Sequence, residues 1–272
     1  MKKVLFFSLL TLSLYSCQKA DLDETNAPEE ISAATKAKIS NLGFGTSNVQ
    51  KTEDGYIVEG DILLTEALLN STPTQSLMRI ANNEQYRTTN LVTVGTSRVI
   101  TILVSNLGPA FVSGTDLAIQ RYNALGLRMT FQRITAGTPD ITIIGFNQKA
   151  RGGSITLGSA GFPSGGNAYN QIKMNTNTQA YGTNPDVNYV GSVIQHEIGH
   201  CIGMRHTDYY NRAISCGGAV SNEGASTVGA ILIPGTPATT TLAEGSWMLA
   251  CSNGGNRTFS ANDEIGLRFL YQ

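Results

Sequence analysis

Histidine and charge are both scarce in this sequence. Its 272 residues contain three histidines, and only 14% are Asp, Glu, Lys or Arg, against about 25% in an ordinary globular protein. The formal net charge is −1, and no basic cluster follows the first three residues. Because a phosphate backbone is bound through clustered Lys and Arg, we expect no nucleic-acid partner. The 41% of apolar residues and the 29 glycines indicate a loop-rich protein with one sizeable domain and an extension, or two small domains.

The N-terminal apolar run is too short for a membrane-spanning helix. Residues 4 to 14 follow Lys2 and Lys3 and have the form of an export signal. The run ends in LYSC, which resembles the bacterial lipobox, where a small residue before Cys directs lipidation of that Cys and cleavage in front of it. We therefore predict a lipoprotein signal peptide over residues 1–16, a membrane anchor at Cys17, and a cell-envelope location at the outer membrane or cell surface. The alternative is an ordinary signal peptide with a chance Cys.

Composition divides the remaining chain into two parts. Of the 39 charged residues, 14 lie between Lys19 and Glu66, which is typical of a solvated tether leading into a small unit, residues 17–87. Residues 88–272 form the second part. The hydrophobic pattern predicts an early helix over residues 31–42, a helix from Thr115 or Asp116 to Leu125, and a C-terminal helix. Strands are predicted at residues 56–58, 62–65, 91–94, 99–104, 127–132, 140–144, 154–157 and 171–174. The order is that of an α+β protein with a mixed sheet.

The C-terminal helix has a recognisable start. Ser260 and Asp263 have the spacing of a capping box, which favours a helix beginning at that point. Ile265, Phe269 and Leu270 are the apolar residues that we expect to pack against the core.

All three histidines fall in HEIGHCIGMRH, residues 196–206. A helix that begins after Pro185, capped by Asp186 or Asn188, places His196 and His200 one turn apart on one face. Gly203 can end this helix, so that the chain turns back and delivers His206. Three imidazoles with no fourth protein ligand are typical of a catalytic zinc site.

Glu197 adjoins the first of these histidines. Its carboxylate can reach a zinc-activated water without binding the ion, which makes it the candidate general base for hydrolysis of an amide bond. The alternative is that the histidines are three unrelated polar residues. Chance would place the second and third histidines four and ten residues after the first in roughly one case in ten thousand.

HEIGHCIGMRH is the long metzincin signature H-E-x-x-H-x-x-G-x-x-H, so the chain resembles a metzincin zinc endopeptidase. The segments AIQRYNALGLRMTF, DITI, GSAGFPSGGNAYNQIKMN and DEIGLRFLY extend the resemblance to the bacterial dual-action HEIGH metallopeptidases. The resemblance implies a five-stranded mixed sheet, an active-site helix and a C-terminal helix, with a peptide or protein substrate bound along an edge strand within residues 154–162. Met248, in GSWMLAC, would form the Met-turn below the zinc, or else be an ordinary core methionine. We expect a monomer.

Two departures from related families affect the expected chemistry. Thr207 follows the third histidine, where astacins have Glu and matrixins have Ser. Position 250 is Ala, where astacins place a Tyr two residues after the Met of the Met-turn. The residue that stabilises an oxyanion is therefore unassigned, with Tyr209 and Tyr210 as candidates that packing would explain equally well.

YIVEGDILLT, residues 56–65, resembles the F-x-G-D segment of astacin pro-peptides, with Val58 in place of Phe. The resemblance implies that Asp61 caps the zinc in a zymogen and that cleavage within residues 79–87 removes the segment, so that residues 17–87 are a tether and pro-segment and residues 88–272 are the catalytic domain. The alternative is an ordinary Gly-Asp turn between two strands.

Three cysteines remain once Cys17 is assigned to lipid. Cys201 lies on the apolar face of the histidine helix, which favours a buried thiol. Cys216 and Cys251 lie in C-terminal loops, and we predict a disulfide between them, because an exported protein permits one.

Overall fold

Ten strands and seven helices lie in the part of the chain that the computed structural model describes, residues 30–71, 85–225, 228–237 and 240–272. The expected signal peptide, Cys17 and Arg79 lie outside these residues. Ile31–Gln272 forms one compact unit. Within the described residues, no helix combines the length and apolarity that crossing a membrane requires.

The strands are β1 Gln50–Thr52, β2 Gly55–Val58, β3 Ile62–Thr65, β4 Tyr86–Arg87, β5 Arg98–Val104, β6 Met129–Ile134, β7 Ile141–Phe146, β8 Gly158–Ala160, β9 Gln171–Asn175 and β10 Ile231–Leu232. The helices are α1 Ala33–Asn41, α2 Glu66–Leu69, α3 Pro109–Ala124, α4 Thr178–Tyr181, α5 Val187–Ile202, α6 Ala213–Cys216 and α7 Ala261–Tyr271. The fold is a mixed α+β arrangement, as expected.

The main sheet has eight strands in the order β1-β2-β3-β8-β9-β7-β5-β6, whereas the resemblance implied five for residues 88–272 alone. Strands β9, β7, β5 and β6 are parallel, and β8 is antiparallel to β9. The three additional strands come from the N-terminal segment, because β3 pairs in parallel with β8 through Ile62 and Ala160. The segment expected to be the exposed edge, around β8, therefore has a neighbour on both sides.

The N-terminal strands and α1 enclose a core of their own. Its buried members are Ile39, Leu42, Phe44, Tyr56, Val58, Ile62, Leu64 and Leu69. A larger core lies between the remaining sheet and helices α3, α5 and α7. The N-terminal segment thus has its own apolar packing and also shares a sheet with the rest of the unit.

Helix α3 begins at Pro109, before the predicted start at Thr115 or Asp116. Proline at the first helical position is a strong start signal, whereas Thr115 lies inside the helix and its hydroxyl donates to the Phe111 carbonyl at 2.8 Å. Gly114 lies within the same helix, where α3 meets α5. A β-carbon there would lie 2.9 Å from Val190 and 3.0 Å from the Gly191 nitrogen of α5, so glycine lets the two helices approach closely.

Helix α7 has the predicted capping box, with Ser260 and Asp263 exchanging side-chain and backbone hydrogen bonds. The predicted packing stripe is wrong for two of its members, because Ile265 is 42% exposed and Phe269 is 56% exposed. The buried residues are Asp263, Gly266, Leu267 and Tyr271. The error arose because two of the four buried positions carry no large apolar side chain.

Two short predicted strands are absent from the described residues. Residues 91–94 have no strand neighbour, and the Thr93 amide instead donates to the Gly166 carbonyl in a loop at 2.9 Å. Residues 154–157 contain only an isolated bridge between Ser154 and Arg151, and the strand begins at Gly158. Alternation in the first run reflects the burial of Val92 and not a ladder of hydrogen bonds.

Candidate metal centre and active site

Helix α5 carries the first two histidines. Its N-terminus is capped by Asp186, whose side chain accepts from the Tyr189 amide at 2.9 Å, and it ends at Gly203, whose φ of 108° is left-handed. A β-carbon at Gly203 would lie 2.8 Å from Leu91 and 3.0 Å from the Thr88 hydroxyl. Glycine is therefore required at this turn both for its backbone conformation and for space.

Each histidine is oriented by a hydrogen bond from its Nδ1 atom. The His196 Nδ1 lies 2.8 Å from the Trp247 carbonyl, and the His200 Nδ1 lies 2.9 Å from the Met204 carbonyl. The His206 Nδ1 lies 2.8 Å from a carboxylate oxygen of Glu223. With Nδ1 engaged by an acceptor in every ring, each Nε2 atom is the nitrogen left to face a ligand.

Asp61 lies at the centre of the three rings. Its Oδ2 atom is 3.2 Å from the His206 Nε2 and 3.3 Å from the His196 Nε2, and its Oδ1 atom is 3.9 Å from the His200 Nε2. Each of these four residues offers one nitrogen or oxygen atom as a metal ligand, and these four atoms lie within 4.8 Å of one another. The residue predicted to cap the site is thus brought to the three predicted ligands.

These residues fit a zinc ion. Ligands about 2.0–2.1 Å from a tetrahedral ion lie about 3.3 Å from one another, close to the distances from the Asp61 Oδ2. Three buried atoms of the cluster, the His196 Nε2, the His200 Nε2 and the Asp61 Oδ1, have no hydrogen-bond partner among the described residues. Buried polar atoms without partners are costly unless an ion satisfies them.

The pKa values in the cluster shift in opposite directions. Burial alone would raise the pKa of Asp61, but His206 and His196 outweigh it and hold the pKa well below its usual range. Burial would lower the pKa of His206, but Asp61 and Glu223 hold it well above its usual range. Burial, assisted by the other two histidines, lowers the pKa of His200. The cluster therefore keeps the Asp61 carboxylate ionised in a buried place.

Glu197 is buried beside this cluster, with 1% of its surface exposed. Its Oε2 atom has no hydrogen-bond partner within the described ranges. A β-carbon at Gly158 of β8 would lie 2.7 Å from its Oε1 atom, so glycine gives the carboxylate room against the strand. Burial, followed by the charge of Asp61, raises the pKa of Glu197 well above its ordinary value.

A cavity of about 750 Å³ opens beside the cluster. Its lining includes Asp61, Gly158, Tyr189, His196, Glu197 and Arg212. The N-terminal segment forms part of the wall, so the histidine cluster and the segment that covers it share one cavity.

Met248 is fully buried, and the turn that carries it is joined to the third histidine segment. The Thr207 amide donates to the Met248 carbonyl at 2.9 Å, and the preceding Trp247 supplies the carbonyl that orients His196. The turn is therefore attached to both ends of the zinc motif.

Cys216 and Cys251 form a disulfide across 35 residues, and Cys201 is a buried free thiol. The same two segments meet at Asp208, whose carboxylate accepts from the Ser215 hydroxyl at 2.5 Å and from the Ala250 amide at 2.9 Å. The disulfide and these hydrogen bonds hold the chain after His206 against the Met248 turn.

Several charged residues at the site were not anticipated. Glu223 contacts His206, and Arg205, which is fully buried, lies within 3.6 Å of the carboxylates of both Glu59 and Glu223. Arg212 donates to the Glu59 carbonyl and lies 3.2 Å from Glu223. These residues lie in separate loops, where no hydrophobic periodicity points to them. The one sequence feature that could have indicated them is their charge, because charged residues are few in this chain.

The two tyrosines considered as oxyanion stabilisers have packing or hydrogen-bonding roles. The Tyr209 ring is edge-on to Tyr86, with centroids 4.4 Å apart, and lies 5.8 Å from the Arg205 guanidinium. The Tyr210 hydroxyl accepts from the Thr240 amide at 3.3 Å. A role for either in catalysis stays a prediction.

Solved structures with a similar chain include two of myroilysin. One has a TM-score of 0.42 and 15% identity, and the match covers 68% of this chain and 98% of that chain. The other has a TM-score of 0.37 and 16% identity, with 64% of this chain and 86% of that chain covered. No curated protein matches this sequence.

The sequence model of one family covers most of the chain. The model of the dual-action HEIGH metallopeptidases matches residues 56–271, a range that contains all three histidines, Glu197, Met248 and also Asp61. Together with a buried histidine cluster that fits the ion, this match shows that the chain belongs to the dual-action HEIGH metallopeptidases and is a zinc metallopeptidase.

Proposed function

We propose that this protein is an exported, lipid-anchored zinc endopeptidase of the metzincin type, made as a latent zymogen. The observation that carries the proposal is the convergence of His196, His200 and His206 on one buried point, with Glu197 beside it and Asp61 over it. The three histidines are the proposed zinc ligands in the active enzyme, and Asp61 is the proposed fourth ligand in the latent form.

Zinc, when bound, makes water more acidic and polarises a substrate carbonyl. The role proposed for Glu197 is to accept a proton from the attacking water and to deliver it to the leaving amine. Two features support this role. The Glu197 Oε2 has no hydrogen-bond partner among the described residues, and Gly158 leaves the carboxylate space beside β8.

The hydrogen bonds that hold the segment around Asp61 support the proposed latency. The Asp61 carbonyl accepts from the Ala160 amide at 3.1 Å, and the Gly60 carbonyl accepts from the Thr156 hydroxyl at 3.1 Å. On the other side, Arg212 donates to the Glu59 carbonyl. A segment held from both sides over the histidines blocks the approach of a substrate to β8, which is where a peptide strand is expected to pair.

The activating cleavage is proposed to lie before Gln85. Gln85 and Tyr86 are buried, and Tyr86–Arg87 pairs with Ile231–Leu232. The Tyr86 carbonyl also accepts from the Arg205 amide at 2.8 Å, next to His206. Cleavage at Arg87 would require this strand to open, so the N-terminal part of the expected range, which includes Arg79, is the better position.

Export and anchoring are proposed from the signal sequence and Cys17 alone. Mass spectrometry of the mature protein from a membrane fraction should find a chain that begins at a lipid-modified Cys17. In a Cys17→Ser variant, the protein should lose the lipid and leave the membrane fraction. An unmodified N-terminus in the native protein contradicts the anchor without affecting the peptidase proposal.

The endopeptidase proposal is tested with the chain lacking residues 1–17, before and after limited trypsin treatment, on peptides blocked at both ends. We expect cleavage of internal bonds after treatment. Glu197→Gln should bind zinc like the wild type and lose about 10²–10⁴-fold in rate. Glu264→Gln is the matched control, because Glu264 is a partly exposed acid that pairs with Arg268 on α7, away from the histidines.

Each outcome assigns a different function. Glu197-dependent cleavage of blocked peptides supports an endopeptidase, while cleavage only of other amides indicates a zinc hydrolase of narrower scope. Zinc binding without any Glu197-dependent cleavage rejects the enzyme and leaves a surface-binding lipoprotein that keeps the fold.

A further inference from the structure

The His206 ring differs from the other two rings in the group that orients it. His196 and His200 donate to backbone carbonyls, whereas the Nδ1 atom of His206 lies 2.8 Å from the Oε1 atom of Glu223. Glu223 is 2% exposed and lies 17 residues beyond His206. A buried carboxylate in this position is a stronger acceptor than a carbonyl.

The Glu223 carboxylate is itself held in place. The Glu223 amide donates to the Tyr209 carbonyl at 2.7 Å. Arg212 lies 3.2 Å from the Oε1 atom and Arg205 lies 3.6 Å from the Oε2 atom. Arg205 is fixed in turn by the carbonyls of Gly224, Ala225 and Gly229. The carboxylate therefore has a fixed direction towards the histidine.

We propose that Glu223 is a positioning residue of the metal site, which fixes the His206 ring with Nε2 towards the ion and strengthens that nitrogen as a ligand. The inference rests on the proposed ligand role of His206. A carboxylate that accepts a proton from the far nitrogen of a ligating imidazole fixes the ring orientation and raises its basicity. The other two histidines lack such a partner, so the effect belongs to one of the three ligands.

A purely structural role for Glu223 would be to neutralise Arg205. Glu59 supplies a matched control for this role. Its carboxylate is also buried and lies 3.5 Å from the same Arg205 nitrogen, while it accepts from the Gly45 amide at 3.1 Å and makes no hydrogen bond to His206. Replacing either acid removes one partner of Arg205, but only Glu223 hydrogen-bonds to the His206 ring.

The experiment compares the full chain with its Glu223→Gln, Glu223→Ala and Glu59→Gln variants. The zinc dissociation constant is measured by competition with a chromophoric chelator, and the ligand field by the visible absorption of the Co²⁺-substituted protein. We expect zinc to bind about 10–100-fold more weakly in both Glu223 variants, with a changed Co²⁺ spectrum. The Glu59 variant should keep the wild-type spectrum and affinity.

Three results overturn the inference. Glu223→Gln with wild-type zinc affinity and spectrum shows that the carboxylate does not act on the ligand. Equal weakening in Glu59→Gln shows that the effect comes from the shared surroundings of Arg205 and not from the hydrogen bond between Glu223 and His206. If the Glu223 variants do not fold, nuclear magnetic resonance of the zinc-loaded wild type tests the proposal. The resonance of the His206 Nδ1 proton should lie at lower field than those of His196 and His200. Equal chemical shifts for the three protons reject the proposal.

Failure of the proposed function is distinguishable from failure of this inference. A wild-type chain that binds no zinc removes the metal site altogether, and with it the ligand role of His206. A wild-type chain that binds zinc tightly, with Glu223 variants that bind it equally well, leaves the peptidase proposal intact and removes only the positioning role.

Discussion

The sulfur of Met248 lies against the backbone of Gly199, the residue directly before the second histidine. A β-carbon at Gly199 would lie 2.5 Å from the Met248 Sδ and 3.2 Å from the Trp247 Nε1. The glycine of HEIGH thus creates the space that the methionine turn fills below the histidines. The HEIGH motif and the Met248 turn therefore meet at this contact.

Gly199→Ala should destabilise the protein and weaken zinc binding. Helix propensity alone favours Ala by about 1 kcal/mol, but forcing a methyl group against the fully buried Met248 costs about 1–3 kcal/mol and displaces the turn that orients His196. Denaturant unfolding and zinc competition measure the two effects.

Gly266→Ala, in α7, is the matched control for this prediction. A β-carbon there would make only ordinary contacts, the nearest at 3.4 Å to Gln85, so the variant should be as stable as the wild type or slightly more so. If Gly199→Ala behaves like Gly266→Ala, the close packing is not essential.

Asp61→Asn should give a full-length chain that cleaves peptides without prior proteolysis. Asn keeps the shape of the side chain but loses the charge that binds the ion, so the segment should no longer cap the site. Initial cleavage rates before and after limited trypsin treatment measure the change. Asp54→Asn is the control, since Asp54 lies on the same N-terminal segment as Asp61 and pairs with Lys173 of β9. A variant chain as latent as the wild type contradicts the proposed switch.

Zinc should stabilise the wild-type chain against unfolding. An ion that binds only the folded state, present at 100 times its dissociation constant, adds about 2.7 kcal/mol to the free energy of unfolding. In the His200→Ala variant, zinc should raise the free energy of unfolding by much less, whatever stability the variant has without the metal. The measurement is urea unfolding with zinc and with a chelator. An unchanged zinc effect in the variant removes His200 from the ligand set.

Reduction of the disulfide should destabilise the wild type but not a variant without it. A bridge that closes 35 residues contributes about 2–4 kcal/mol. The wild type and the Cys216→Ala, Cys251→Ala double variant are unfolded in guanidinium with and without a reductant. If the reductant lowers the midpoint of both proteins equally, its effect comes from elsewhere.

The parts of the site that the sequence could predict depend on local signals. The spacing of His196 and His200, the Asp186 cap and the Gly203 turn all act within a few residues, and each lies where the pattern predicted. Asp61 could be suggested only through a family resemblance, since its nearest ligand contact, with His206, spans 145 residues.

The remaining features depend on packing between distant segments. No local pattern tells that β3 will pair with β8, because Ile62 and Ala160 lie far apart in the sequence. Glu223 lies in a loop with no periodicity, so its partner could not be inferred. In α7, the buried face passes through Gly266, which faces Gln85 and Ile233, so the large apolar residues Ile265 and Phe269 did not mark that face.

The three acceptors that orient the histidines lie at very different distances along the chain. Met204 is four residues from His200, Glu223 is 17 from His206, and Trp247 is 51 from His196. Zinc binding at full affinity therefore requires the chain as far as Trp247. A chain truncated before Trp247 should compete poorly for metal, so that metal loading itself distinguishes finished molecules from incomplete ones.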